Sequence, residues 1–286
     1  MPLVVITLSG SAGKDGYPYM LVYHPQGPYQ GNPAENVFCA ADDMGIEIGI
    51  GFVVLMYQPH IFPERPVNIY FQIDAKPQAR HLLLGALISH AMVLLSQFPG
   101  QKARIYTAVD TDDVQMIDFF RHSGLKMDDA EDLTVLSLPA KPYKLPMSFD
   151  FGAIPLGTEW DQNAFLMRLN AYRISTISMG MLASYGHSRW FLAMAVYKGG
   201  MPVGEILTAG NDSAVYIGSL YVQPDFRRIG LGRALISRAA DILRHNGAEE
   251  INAFVMRRSL IQQRMAEVFN VRTVRATAIY PGINVG

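Results

Sequence analysis

Apolar positions along the chain follow two periods, and the elements they predict occur twice in the same order. Apolar runs bounded by Gly, Pro, Asn and Asp predict strands, whereas apolar residues spaced by three and four predict helices. In the first half we predict one or two strands within 1–35, strands over 37–41, 46–57, 67–73, 103–109 and 132–138, and helices over 80–97 and 114–122. In the second half we predict strands over 149–154, 189–197, 203–209, 215–222, 250–255 and 271–280, and helices over 160–175, 177–185, 231–245 and 260–269.

The two halves also share sequence. Residues 85–91 read Gly-Ala-Leu-Ile-Ser-His-Ala, and residues 233–239 read Arg-Ala-Leu-Ile-Ser-Arg-Ala. Agreement in both element order and sequence favours a duplication over coincidence. A stretch with prolines and lysines over 141–147 has the composition of a linker. We therefore predict an α/β (α+β) fold with two tandem domains, over 1–140 and 148–286.

Composition narrows the classes of partner and site. The 286 residues carry a formal net charge of −1, which gives no electrostatic reason to expect nucleic acid or an anionic membrane as a partner. The single cysteine, Cys39, excludes an internal disulfide and a multi-cysteine metal site, and its apolar surroundings predict a buried packing residue. No two histidines have the helical spacing of metal ligands with a carboxylate partner, so we predict no metal. The start of the chain does not read as a secretory signal, and we expect a cytoplasmic protein.

One turn, between the predicted strand 215–222 and the predicted helix 231–245, carries most of the chemistry. Glycines at 230 and 232 allow close approach to the backbone, and the first N–H groups of a helix have no partner within it. Together with the helix dipole they form an anion site, to which Arg227, Arg228 and Arg233 add positive charge. The dinucleotide fingerprint requires a third glycine at the position of Leu235, so that interpretation fails.

The string from Gly218 to Leu243, with Arg227-x-x-Gly230-x-Gly232 at its centre, closely resembles motif A of the GCN5-related N-acetyltransferases (GNAT). The resemblance implies a mixed central sheet flanked by helices in each domain, and a loop that holds the pyrophosphate of acetyl-coenzyme A. The residues of this motif that fall on the family's cofactor-contacting positions are Val222, Arg227, Arg228, Gly230, Leu231, Gly232 and Arg233. We thus expect 148–286 to bind acetyl-coenzyme A.

The first copy departs from this motif. In the register of the repeat, Ala79, Leu82 and Leu84 take the places of Arg227, Gly230 and Gly232. Leucine side chains would stand where a pyrophosphate needs bare backbone, and the helical pair predicted at 160–185 has no counterpart. We therefore expect 1–140 to be a degenerate GNAT-like domain without a cofactor loop.

The residues that move protons are harder to assign. The resemblance implies direct attack of an amine on the thioester, with a backbone amide near the end of strand Leu220–Val222 as oxyanion donor. The tyrosine that many family members use falls on Ala266, and Ser259 stands where the family often has an asparagine that contacts the pantetheine. Glu205, Tyr221 and Tyr216 are the candidates to replace the tyrosine, with Tyr216 the least favoured. Each has an equally good structural interpretation, and water is a further carrier.

The sequence therefore predicts an acetyl-coenzyme A-dependent N-acetyltransferase that acts on a primary amine of a small molecule or peptide. A non-catalytic module that binds or senses acyl-coenzyme A is the alternative, because the helix tyrosine is missing. Neither a nucleic acid nor a membrane is expected as a partner, and a homodimer remains open.

Overall fold

The computed structural model describes residues 20–137, 143–171, 176–211 and 214–286. Residues 1–19 of the region predicted to hold one or two strands, and part of the predicted linker, lie outside these residues. The chain divides into two compact units, of which the first comprises 1–129 with 278–286 and the second comprises 130–277. These bounds differ from the predicted 1–140 and 148–286 because the strand at 130–135 joins the second unit and the last strand joins the first.

The elements follow the predicted order closely. The strands are β1 (Leu21–Tyr23), β2 (Val37–Ala41), β3 (Glu47–Tyr57), β4 (Val67–Ala75), β5 (Ala103–Tyr106), β6 (Val109–Asp110), β7 (Ala130–Val135), β8 (Asp150–Ala153), β9 (Leu192–Lys198), β10 (Met201–Ala209), β11 (Ala214–Val222), β12 (Glu250–Met256), β13 (Arg272–Ile279) and β14 (Gly282–Val285). The helices are α1 (Pro77–Leu95), α2 (Val114–His122), α3 (Glu159–Asn170), α4 (Met179–Gly186), α5 (Leu231–His245) and α6 (Leu260–Val268).

The first unit is built on a sheet in the order β1-β2-β3-β4-β5-β14. Strands β1 to β4 are antiparallel neighbours, α1 crosses from β4 to β5, and these two strands are parallel. Helix α1 is long and apolar enough, by length and composition, to cross a bilayer. Ala79, Leu83, Leu87 and Ala91 are nevertheless completely buried in the hydrophobic core of this unit. One face of the helix therefore packs in the core of the first unit.

The second unit repeats this plan. Strands β8 to β11 are antiparallel neighbours, α5 crosses from β11 to β12, and β11 and β12 are parallel. Helix α5 buries Leu231, Leu235 and Leu243 in one core of the unit. Helices α3 and α4 contribute to a second core, in which Phe165 and Leu169 join Leu207. Side chains alternate along β10, so Ile206 belongs to the α5 core and Leu207 to the α3–α4 core.

Two sheet positions were not foreseen. Strand β7, expected to close the first domain, pairs antiparallel with β12 of the second unit, and β14 pairs antiparallel with β5 of the first. The predicted strand over 103–109 is also divided into β5 and β6, and β14 was missed. Each unit is a mixed sheet flanked by helices, and the predicted fold class is confirmed.

Candidate functional site

The segment between β11 and α5 forms an eight-residue loop, 223–230, at the carboxyl end of β11. Two of its residues have left-handed backbone, Arg228 at φ 65° and Gly230 at φ 92°. A side chain at position 230 would meet no atom within 4 Å. Glycine is required there by the backbone conformation rather than by packing.

The start of α5 differs from most helix starts in the described chain. Helices α2, α3, α4 and α6 have side-chain caps, from Asp113, Thr158, Ser178 and Ser259 respectively. Helix α5 begins after Gly230, which has no side chain that could cap it. The first backbone hydrogen bond of this helix runs from Ala234 N to Gly230 O at 3.0 Å. The amides of residues 231–233 make no recorded hydrogen bond in the described chain, so they are donors for an anion.

The three arginines of the loop are not equivalent. Arg227 Nε donates to Val222 O at 2.9 Å, which ties this side chain to the end of β11. The Arg233 guanidinium lies 5.7 Å from the centroid of the Tyr143 ring, a cation–π contact. Arg228 is exposed and makes no ion pair within the described part of the chain. Arg228 is therefore the guanidinium best placed to meet an incoming phosphate.

Three further predicted contact residues offer backbone or packing rather than a free side chain. Leu231 is completely buried, so its side chain packs in the core and cannot reach a ligand. A Cβ on Gly232 would make ordinary contacts with Val222 at 3.7 Å and with Met265 at 3.6 Å. Ser259 is completely buried, and its hydroxyl accepts from Gln262 N at 3.4 Å as the cap of α6. The structure thus gives Ser259 a capping role, and its contact with pantetheine stays a prediction.

The predicted catalytic residues lie on neighbouring strands. Glu205 on β10 is paired directly with Tyr221 on β11, and both side chains are buried. Arg168 on α3 reaches Glu205 through three hydrogen bonds: Nε donates to Oε1 at 3.0 Å and to Oε2 at 3.2 Å, and Nη2 donates to Oε1 at 2.7 Å. Both carboxylate oxygens therefore accept hydrogen bonds from one guanidinium, and the role of Glu205 as a base stays a prediction.

Two neighbours complete this picture. Burial, with a smaller contribution from the Glu205 carboxylate, raises the pKa of Tyr197, whose hydroxyl donates to Ala153 O at 3.0 Å. Tyr216, the least favoured candidate, stacks on Phe254 with ring centroids 5.8 Å apart.

The sequence did not predict a role for Arg168. Its only signal was a cationic residue in the apolar stripe of α3, between Phe165 and Leu169.

The corresponding place in the first unit has a different geometry. Strand β4 ends at Ala75 and α1 begins at Pro77, so a single residue replaces the loop of the second unit. Ala79 and Leu84 are buried in the core. Arg80 Nε donates to Ala75 O at 3.2 Å, as Arg227 does to Val222 at the end of β11. The connection between β4 and α1 therefore contains no glycine. That the first domain is a degenerate copy of a GNAT domain stays a prediction.

Residues 158–269 match the sequence model of the Acetyltransferase (GNAT) family. The match covers α3 to α6, and it includes both the Arg227–Arg233 loop and the Arg168–Glu205 pair. Over these residues the chain is similar to the GNAT family in sequence. This similarity supports acyl transfer as the general activity of the second unit. No curated protein sequence matches the chain significantly.

Several solved structures are similar to the chain at low identity. A GCN5-related N-acetyltransferase from Sphaerobacter thermophilus is 12% identical, with a TM-score of 0.49, over 88% of this chain and 82% of that chain. One from Kribbella flavida is 14% identical, with a TM-score of 0.45, over 83% and 87% respectively. A tandem GNAT protein from the clavulanic acid biosynthesis pathway is 14% identical, with a TM-score of 0.44, over 91% of both chains. Because these scores are low, the fold assignment rests on the strand order and the family match.

Cys39 lies outside this site. It is buried in the first unit, as expected, and burial, reinforced by the Glu47 carboxylate, raises the pKa of its thiol to about 11. A thiol with this pKa is a poor nucleophile near neutral pH. Within residues 20–137, 143–171, 176–211 and 214–286, no three His, Cys, Asp or Glu side chains are grouped so that they could hold a metal ion.

Proposed function

We propose that the second unit transfers an acetyl group from acetyl-coenzyme A to a primary amine. The observation that carries this proposal is the uncapped start of α5 at the carboxyl end of β11, within the segment that is similar to the GNAT family. Parallel strands β11 and β12 are paired over only four positions, Ala214–Ile217 with Glu250–Ala253, and both continue beyond the ladder. Ligands of α/β sheets bind outside the carboxyl ends of such strands.

The residues of the loop fit the phosphates of the coenzyme. The amides of residues 231–233 supply backbone donors, left-handed Gly230 leaves the approach to them open, and exposed Arg228 supplies a positive charge. Arg227 holds the loop against Val222, and Arg233 adds positive charge nearby. When bound, acetyl-coenzyme A would supply the acetyl group as an activated thioester.

Residues of β10 and β11 serve the chemistry. By resemblance to the family, we assign the oxyanion donor to a backbone amide near the end of Leu220–Val222, where a preorganised donor would stabilise developing charge. Arg168 and Glu205 fix one another, so we assign this pair a positioning role. Tyr221, directly opposite Glu205, or water beside it, then carries the proton between the amine and the leaving thiolate.

A second candidate is a module that binds acyl-coenzyme A without turnover. The alanine at position 266, where many family members have a tyrosine, and the engagement of Glu205 by Arg168 favour it. Thioester aminolysis can proceed through positioning and a backbone donor alone, so we place catalysis first.

Transfer of label from acetyl-coenzyme A to a panel of primary amines at pH 8 separates the two candidates. Turnover on any amine, lost in Gly230→Val, supports catalysis. Gly199→Val is the matched control, because Gly199 has φ 56° and also meets no atom within 4 Å, but it lies in the β9–β10 hairpin. Both changes force a side chain into left-handed backbone at a cost of about 1–2 kcal/mol, so strain alone affects them equally. Tight coenzyme binding without turnover on any amine would contradict catalysis and support the second candidate, a module that only binds acyl-coenzyme A.

A further inference from the structure

The first unit contains an open surface cavity of about 200 Å³. Its lining includes Tyr70, Gln72, Thr107, Asp110, Asp113 and Phe120. The volume lies below the roughly 300–1,000 Å³ of drug-sized sites, so the cavity suits only a small molecule.

The cavity lies at a position where α/β sheets bind ligands. Parallel strands β4 and β5 are paired over four positions, Val67–Tyr70 with Ala103–Tyr106, and the ladder then ends. The lining residues Gln72 and Ile73 follow on β4, and Thr107–Asp110 follow β5. The cavity thus opens at the carboxyl ends of the two parallel strands. It occupies the topological place that the proposed coenzyme site has in the second unit.

The charges at this cavity are opposite to those of the coenzyme loop. The cavity lining contains two carboxylates and no lysine, arginine or histidine. Asp110 Oδ1 accepts from Asp112 N at 2.9 Å, and Asp113 Oδ1 accepts from Met116 N at 3.0 Å. These bonds orient both carboxylates, and each retains a second oxygen for a ligand.

Apart from Gln72 and Thr107, the rest of the lining is apolar or aromatic. Phe120 and Val109 are buried, Met116 is half-buried, and the ring of Tyr70 adds an aromatic face. An ammonium group is attracted both by carboxylates and by the face of an aromatic ring. A phosphate or carboxylate would instead meet two like charges, and the lining has no cationic side chain to compensate for them.

From these observations we propose that the cavity of the first unit binds a small organic amine in its protonated form. The ammonium group lies at Asp110 and Asp113, and the apolar body of the molecule lies toward Tyr70 and Phe120. This inference does not depend on the proposed activity of the second unit.

Calorimetry of the full chain with 2-phenylethylamine hydrochloride at pH 7 tests the inference, with 2-phenylethanol as a neutral molecule of similar shape. The variant Asp110→Asn with Asp113→Asn removes both charges, but it keeps the Oδ1 acceptors and a good cap for α2. We expect it to weaken amine binding about tenfold, as for a lost charged hydrogen bond, and to leave the alcohol unaffected. A second variant, Gln72→Lys, places an ammonium on the exposed part of the lining and should compete with the amine.

Three results would overturn the inference. They are no amine binding up to about 10 mM, equal affinity for amine and alcohol, or amine affinity unchanged in both variants. An amine that binds an acceptor site of the second unit would keep its affinity in both variants, and this outcome also counts against the cavity. Coenzyme binding measured on the same samples shows independently whether the proposed function fails.

Discussion

Removal of the Arg168 side chain should destabilise the second unit strongly. Glu205 is only 1% exposed, and Arg168 supplies all three of its recorded hydrogen bonds. Breaking a buried ion pair from one side costs about 3–5 kcal/mol, because a charge stays buried without compensation. The Arg168 side chain is 33% exposed, so water can enter part of the vacated space. We therefore expect Arg168→Met to lower the free energy of unfolding by about 2–4 kcal/mol.

The same reasoning predicts rescue by a second change. In Arg168→Met with Glu205→Met neither charge of this pair remains, and paired replacement by apolar residues is often neutral or stabilising. The double variant should lie within about 1 kcal/mol of the original chain. Arg238→Met is the control, because the Arg238–Asp241 pair on α5 is exposed at 49% and 35%. Its loss should cost at most about 1 kcal/mol.

Urea unfolding followed by tryptophan fluorescence measures these changes in the second unit alone. Both tryptophans of the chain, Trp160 and buried Trp190, belong to that unit. A loss below about 1 kcal/mol for Arg168→Met, or a double variant as unstable as the single one, would refute the assignment of Arg168 and Glu205 as a buried, mutually dependent pair.

Other predictions concern both units. Cys39 should resist a thiol-specific disulfide reagent at pH 8 until urea unfolds the first unit, because it is buried and its pKa is about 11; rapid labelling of the native protein would contradict this. Arg228→Ala should weaken coenzyme A binding by about 1–2 kcal/mol at low salt and by less at high salt. Calorimetry at two salt concentrations measures this, and an equal loss at both would contradict the prediction. Burial, and then the neighbouring His24, lowers the pKa of His90 in the folded protein. His90 therefore binds a proton more tightly in the unfolded chain than in the folded one. The free energy of unfolding of the first unit should therefore fall as the pH drops below about 6.5, and it should fall less in His90→Gln. Urea unfolding followed by the labelling of Cys39 measures this, and identical pH slopes for the two proteins would count against the prediction.

Hydrophobic periodicity predicted the elements well because each strand and helix has a buried face. It could not say which sheet a strand would join. Strand β7 has apolar alternation that suits either sheet, and its partner β12 is more than a hundred positions away along the chain. The short strand β14 has only four residues, so its pattern was too brief to separate it from β13.

The candidate site shows a similar division. The loop was predictable because a strand, glycines and a helix are neighbours in sequence, and Gly230 does have left-handed backbone. The engagement of Glu205 could not be foreseen, because Arg168 approaches it from α3 across 37 positions. The arginines of the loop were expected to act together. Only their folded contacts distinguish exposed Arg228 from Arg227, which is bonded to Val222, and from Arg233, which lies against Tyr143.

Titration of the full chain with coenzyme A in a calorimeter tests the central claim most directly. The claim is that the loop at the start of α5 is a coenzyme site and that the first unit has none. We predict one site per chain, lost in Gly230→Val and kept in Gly199→Val, because only Gly230 directly precedes the amides at the start of α5. Two sites per chain, or equal binding by the two variants, would contradict the account.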